Sequence, residues 1–461
     1  MEVIQKIPHP AYSLFALCLA LFMVILDATI VNVALPNMAI SFHTDMSGLQ
    51  WIIAGYTLTF ACLLLSAGHI GDIIGRKNTL IWGLLLFTLT SLGCGLSSHI
   101  TLLTIIRFLQ GASAALVMPT SLALINAAYK DKKERAKALG TWGAIGGIAG
   151  AAGPILGGIL TATFGWRSIF LVNLPIGIIA ILLTIKYVPN PISNQTHSCA
   201  SEKIGLDIPG QTLLIVAITA LAFGFIEASN FGWFSIPIFI SFAIFLISAL
   251  SFLWVEHHTK FPLLPLSFFS IPIFSASLGI GMILTFCFFS ILFIAPLYFQ
   301  TIRGYSIFMT GFATFPLVAF SALGAYFSGK ITSSIGPRLP LIVGASISAI
   351  GFFSLLITQP HSPSYPYLIL PLILSGIGSS FMMPALTLAV LHATPSNRGG
   401  LVSGAFNSSR QIGGLIGVSI CGTIIHLSPH FIAGMHLCLI IAGIGSLANI
   451  LLAWLFIPRL R

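Results

Sequence analysis

Polar and apolar residues fall along this chain in long blocks: runs of about 20 or more apolar residues, parted by short polar or basic stretches. About 20 apolar residues is the length a helix needs to cross a hydrocarbon layer. Such segments lie at about 11–35, 49–68, 79–96, 101–128, 138–161, 166–187, 208–228, 234–255, 272–298, 309–328, 339–357, 366–391, 400–427 and 433–457. Fourteen spans predict an all-α polytopic membrane protein with both ends on one side. The first span contains "VILDATIVNVALPNM" (24–38), and with it Asp27, placed where burying an unpaired carboxylate is expensive.

Composition agrees with the blocks. The 461 residues are 57% hydrophobic and 7% charged, with mean hydropathy +1.02, against about a quarter charged in soluble domains. Lys and Arg number 20 and Asp and Glu 10. No basic run lies beside an exposed aromatic surface, so the excess argues for positive-inside topology and against a nucleic-acid partner. Taking Lys6 as cytoplasmic, the alternate loops and termini collect all the basic residues except Arg107, Arg167, Arg303 and Arg410. Arg167 and Arg303 fall at outer helix ends, where a long side chain can snorkel; Arg107 and Arg410 fall inside spans. Seven scattered cysteines, Cys199 outside the apolar segments and the rest within them, have no paired metal spacing and read as small apolar side chains. No metal site and no cofactor is expected. The apolar run after Lys6 is too long for a signal peptide and reads as an uncleaved first span.

The chain also repeats itself. "GHIGDIIGRKNTL" (68–80) and "GKITSSIGPRLPL" (329–341) match at an offset of 261, and "QGASAALVMP" (110–119) matches "SGIGSSFMMP" (375–384) at 265. The glycine-rich span near Gly143 and Gly153 recurs at Gly404 and Gly414. Two six-helix halves of like orientation are therefore expected, as parallel repeats give: 1–188, then a cytoplasmic linker with two additional spans over 189–265, then 266–461. Where the halves differ, charge disappears from the second. Asp72 corresponds to Ser333, Arg107 to Leu372, and Asp27, aligned through Pro36 and Pro296, to Cys287.

Three motifs carry chemistry. In the loop after the second span, Gly68 and Gly75 permit close approach and a tight turn, while Asp72 can pair with Arg76 or cap a helix. In the fifth span, Gly143, Gly147, Gly150, Gly153 and Gly157 recur every three or four residues as one smooth face, with Gly158 beyond and Pro154 adding a bend. The fourth span holds Arg107, which needs a partner, and Asp27 is the charge match. Counted from the cytoplasmic ends at about 1.5 Å per residue, Asp27 lies about 24 Å up and Arg107 about 30 Å, within an arginine's reach. Burial opposes the charge on Asp27 and Arg107 supports it, so small changes in access load or release a proton. Asn407 and Arg410, with Gln411, could meet polar groups of a substrate or satisfy carbonyls. Glu227, at the outer end of span seven, reads as interfacial.

These motifs resemble those of the major facilitator superfamily. Gly68, Asp72, Gly75, Arg76 and Lys77 match its signature loop, which implies a gate between the halves. Arg107, Gln110 and Gly111 match its arginine-glutamine-glycine motif, associated with proton transfer, and Gly143 to Gly158 with Pro154 is similar to the glycine-proline signature of its exporters. "LDATIVNVALP", "QWIIAGYTL" (50–58) and "APLYFQTIRGYSIFMTGF" (295–312) look like its fourteen-span drug:proton antiporter branch. The resemblance covers essentially the whole chain. It implies two six-helix bundles plus two extra central helices, with the first and fourth lining a central cavity. It further implies no enzymatic activity, a proton-coupled exporter of small organic molecules in the bacterial plasma (inner) membrane, cytoplasmic termini and function as a monomer. Asp27 and Arg107 are then the proton-coupling pair, and Gln110, Asn407 and Arg410 are candidate substrate-cavity residues. A periplasmic adaptor and outer-membrane channel are expected partners in a Gram-negative cell. One departure from the branch is that the tenth span carries no acid, which argues against a preference for dicationic drugs. The rival readings are a dedicated exporter of one metabolite or siderophore, an importer, which the glycine-proline span disfavours, and a membrane enzyme or sensor, for which no nucleophile, paired carboxylates or metal set is present.

Overall fold

The computed structural model describes residues 10–129, 131–189, 207–259, 262–360, 362–393 and 399–458. Outside them lie Lys6, Lys130, Cys199, Lys203, Lys260, Arg398, Arg459, Arg461, the linker beyond Pro189 and, as a side chain, Asp72. Among the described residues, fourteen helices are long and apolar enough to cross a membrane. They are α1 (Pro10–Phe42), α2 (Met46–Ile74), α3 (Arg76–Leu96), α4 (Ile100–Ala128), α5 (Lys132–Phe164) and α6 (Ser168–Tyr187, its first turn set off at Val172). The remainder are α7 (Ile208–Phe231), α8 (Ile236–His258), α9 (Pro272–Leu297), α10 (Ile307–Ile335), α11 (Arg338–Ser354), α12 (Tyr365–His392), α13 (Gly399–Leu427) and α14 (Phe431–Phe456).

Hydrocarbon leaves a backbone no partner but itself, so each crossing is one helix and polar groups at helix ends are capped. Asp45, Asp207 and Ser306 each accept from a backbone N–H in the first turn of α2, α7 and α10. The helices pack in two equivalent sets. In the first, α2 and α3 lie on α4, α1 on α5, and α1 and α3 on α6; in the second, α10 and α11 lie on α12, α9 on α13, and α9 and α11 on α14. The sequence repeat is thus a structural one. Gly75 and Gly336 both end their helices at positive φ, +94° and +80°, where a side chain is strained. A methyl group on Gly111 would lie 2.1 Å from the Tyr56 carbonyl, and one on Gly376 would lie 1.9 Å from that of Leu317. The additional pair α7 and α8 pack on each other, and α7 also lies on α2 and α13. The indole of Trp51 donates to Glu227 at 2.8 Å, and Asn230 bridges Glu227 to Ser47, so the acid read as interfacial joins α7 to α2. Large apolar side chains that face outward, among them Leu89, Phe239, Ile247 and Trp254, meet lipid.

The halves meet along α2 with α13 and α5 with α10. Near the turns at 43–45 and 303–306 they are closely packed. Gln50 donates to the carbonyls of Ser419 (2.6 Å) and Val418 (3.1 Å), Gln300 donates to Val33 (2.9 Å), and a methyl on Gly158 would reach the Ile307 carbonyl at 3.0 Å. The stripe of α5 that begins at Gly158 and Pro154 runs on through Gly147 to Gly143 and Gly140, and there the two helices part. A methyl on Gly143 or Gly140 would meet nothing within 4 Å, nor would one on Gly68 of α2. The joint between α5 and α10 is thus closed at the Gly158 end and open at the Gly143 end.

The glycine face of α5 therefore differs from its sequence reading. Gly153 and Gly157 pack on Thr29 and Ile30 of α1, and Gly146, absent from the expected set, packs on Leu21 and Ile25. Gly150 lies between Ile25 and Val318, Gly158 faces α10, and Gly143 faces open space. Residues every three to four apart drift around a helix of 3.6 residues per turn, so the run serves two neighbours. Gly68 likewise makes no close approach; in the same turn Gly71 does, against Thr120.

This packing predicts a contrast in thermal melts. Gly153→Ala puts a methyl 2.0 Å from Thr29 Oγ1 and costs about 1–3 kcal/mol, whereas Gly143→Ala leaves the melting temperature unchanged.

Candidate functional site: a buried ion pair in the first half

Asp27 sits midway along α1 and Arg107 near the start of α4, and the two helices are in contact. Arg107 Nη1 lies 2.5 Å from Asp27 Oδ2, and both side chains are closed off from the surroundings, at 2% and 0% exposure. The height difference of about 6 Å counted along the helices is spanned by the arginine stem. Asp27 Oδ1 accepts two further bonds, from Gln110 (3.0 Å) and Asn173 (2.8 Å), so three donors converge on the carboxylate. Arg107 is equally enclosed. Nε donates to the Ile52 carbonyl (3.1 Å), Nη1 also reaches Gln110 Oε1 (2.7 Å), and the guanidinium lies over the Tyr56 ring at 4.3 Å. Ser91 accepts from both Gln110 (2.8 Å) and Asn173 (3.3 Å), which ties α3 and α6 to the cluster. One acceptor is left over: Asn173 Oδ1 is buried without a donor.

Several of these residues were not singled out from sequence. Asn173 follows "FLV" in the sixth span and Ser91 is one of four hydroxyls in the third, beside Thr79, Thr88 and Thr90; an amide inside an apolar span was the available signal. Gln110 was expected in a substrate cavity, but it is wholly buried and belongs to the ion-pair cluster. In the second half the corresponding place carries no charge. The Cys287 thiol donates to the Ala442 carbonyl of α14 at 3.3 Å, and Leu372 stands buried where Arg107 has its counterpart.

Asn407 and Arg410 lie on α13, apart from the cluster. Arg410 donates to Asn407 Oδ1 (3.1 Å) and lies 5.6 Å over the Phe406 ring, and Asn407 donates to the Ser403 carbonyl. In the expected gate, Gly75 forms the turn, Arg76 begins α3, and Lys77 Nζ donates to the Ile185 carbonyl at 2.9 Å, within the first half.

The sequence profile of the Major Facilitator Superfamily matches residues 17–418. The chain is 35% identical over 424 residues to the multidrug resistance protein Stp of Mycobacterium tuberculosis (strain ATCC 25618 / H37Rv), covering 91% of this chain and 77% of that one. It is 34% identical over 446 residues to the methylenomycin A resistance protein of Bacillus subtilis (strain 168), covering 96% and 94%. The crystal structure of a D-xylose-proton symporter superposes with TM-score 0.72 at 13% identity, covering 98% of each chain, and so shares the fold.

Because removing one partner of a buried pair strands the other charge, Arg107→Gln is expected to cost about 3–5 kcal/mol. The double variant Asp27→Asn with Arg107→Gln should recover part of that loss. Chemical denaturation or melting in detergent of wild type, both single variants and the double variant measures it; losses that simply add in the double variant would show the two side chains to be uncoupled.

Proposed function

The chain belongs to the major facilitator superfamily, and from that premise we propose that it is a proton-coupled antiporter that exports drugs or other small organic molecules by alternating access. It is a multi-pass membrane protein of a transporter family, not an enzyme. In this reading the closed end faces outward and the open end faces the cytoplasm, with both termini cytoplasmic, in the plasma (inner) membrane. Support for export comes from relatives named for multidrug resistance and for methylenomycin A resistance. The carrying observation is the enclosed Asp27–Arg107 pair with its three-donor shell.

The proposed chemistry follows from that shell. An ionised Asp27 matches its donors and balances Arg107. A proton on Asp27 cancels that balance, releases Arg107 toward Gln110 and the Ile52 carbonyl, and supplies the O–H that Asn173 Oδ1 lacks. Five helices meet at the cluster, α1, α2, α3, α4 and α6, so the change reaches the packing of α1 on α4 and α6. Proton and substrate must favour different states, otherwise neither drives the other. One charge crossing 100 mV supplies about 2.3 kcal/mol. The loop of Gly68, Asp72, Gly75, Arg76 and Lys77 is proposed as the gate that closes the open end. The monomer is the proposed working unit, joined to an adaptor and channel where the cell has two membranes.

A narrower reading, a dedicated exporter of one metabolite, is favoured by the single compound in the methylenomycin name. A transport panel separates the two: flux of one compound supports the dedicated exporter, and flux of several unrelated ones supports the broader pump.

In proteoliposomes bearing a pH gradient, Asp27→Asn should abolish gradient-driven substrate movement, by about two orders of magnitude or more, while retaining substrate binding. Gradient-driven flux at the wild-type rate in that variant would remove Asp27 from the coupling role.

A further inference from the structure

The second half of the chain contains no acid at all. After Glu256 no Asp or Glu occurs, while Lys260, Arg303, Lys330, Arg338, Arg398, Arg410, Arg459 and Arg461 give this part a net charge of +8 from eight bases and no acids. The described cations at its ends are held by the chain itself. Arg303 donates to the Pro363 carbonyl and Arg338 to that of Trp454. Arg410 is different because it lies within the span Val402–Leu427. Hydrocarbon makes a lone guanidinium costly there, and such residues normally face a bundle interior or a water-filled cavity.

Among the described residues, its surroundings supply neutral groups only. Besides Asn407 and the face of Phe406, it packs on Gly281 of α9, where a methyl would lie 3.2 Å from Arg410 Cγ, and its Nε is buried with no hydrogen-bond partner. Asp27 is engaged by Arg107, and Glu227 by Trp51 and Asn230.

The neighbours of α13 locate the side chain. Gly404 and Ser408 face α2, where Ser408 donates to the Ala61 carbonyl; Ser409, Gly413 and Gly417 face α9, at Leu278, Met282 and Phe286. Asn407, Arg410 and Gly414 fall in the sector between these two contacts at 100° per residue. That sector lies where α13 passes between α2 of the first half and α9 of the second, and Arg410 is partly exposed there.

We propose that Arg410, with Asn407, is an anion subsite of the transport cavity, and that the preferred substrates are organic anions carrying a carboxylate. The proposal rests on the transporter reading and names its substrate class. A partly exposed guanidinium binds a carboxylate through charge-assisted hydrogen bonds. The substrate's negative charge then supplies what the acid-free half lacks. Asp27, in the other half, is left for the proton, so substrate and proton need not share one carboxylate.

The test uses purified full-length protein in phosphatidylcholine nanodiscs, which exclude anionic headgroups as competitors. Three fluorescent probes share one body: dansylglycine is an anion, dansylamide is neutral and dansylcadaverine is a cation. Wild type should bind dansylglycine about tenfold more tightly than dansylamide, roughly 1.4 kcal/mol, and dansylcadaverine least. In Arg410→Gln that ratio should collapse to about one, and Arg410→Lys should restore part of it. A merely structural arginine would shift all three affinities together and leave the ratio intact, which overturns the proposal, as does a wild-type preference for the cation. If Arg410→Gln melts well below wild type, Asn407→Ala provides the same ratio test. Flux in proteoliposomes is read separately. Wild type that binds dansylglycine selectively but moves no probe on a pH gradient would sink the antiport reading and leave the subsite standing; gradient-driven flux without anion preference would do the reverse.

Discussion

Arg107 reaches across from α4 to Asp27 on α1 because hydrocarbon offers a guanidinium no water. The same lack makes each neighbour necessary. A carboxylate in that medium needs several donors, and Gln110, Asn173 and Arg107 supply them. Those donors come from α4 and α6, and Ser91 brings in α3. With the Ile52 carbonyl of α2, five helices of the first half are thereby joined at one charged point, while the matching point in the second half holds the uncharged Cys287 and Leu372. One half holds a titratable centre and the other a similar scaffold without it.

Close helix contact is the other requirement. Apolar side chains gain nothing by leaving lipid for a helix interface, so association depends on shape and on backbone approach. Gly111 and Gly376 meet carbonyls of Tyr56 and Leu317 at equivalent places in the two halves, and Gly153 and Gly157 do the same for α1 against α5. Between halves the contacts concentrate at Gly158, Gly311, Gln50 and Gln300 and thin out toward Gly143. Contacts concentrated in this way suit two bodies that rock about the dense end.

Charge is distributed with the same asymmetry. The first half and the two extra helices hold every acid, and the second half is wholly basic. Arg303 and Arg338 sit at helix ends and bind carbonyls, whereas Arg410 stands inside the bilayer with only neutral partners. A transporter that moves a proton on one half and an organic ion on the other can couple them through the joint without having them compete for a single group.

Much of this was legible in the residues themselves. Span number followed from run length because a helix must cross a layer of fixed thickness. The repeat at offset 261 was visible because Gly75 and Gly336 must supply the same turn, and Asp27 and Arg107 stood out because each is costly without the other. The sequence could not say which face of α5 meets which neighbour. Spacings of three and four both read as one stripe, and only packing separates Gly153, set on α1, from Gly158, set on α10, and from Gly143, set on nothing. Nor could it place Gln110, whose amide would suit a cavity as well as a cluster, or enlist Asn173 and Ser91, which lie 146 and 64 positions from Asp27 along the chain. Hydrogen-bond partners far apart in sequence are chosen by how helices pack, and that choice belongs to the tertiary structure alone.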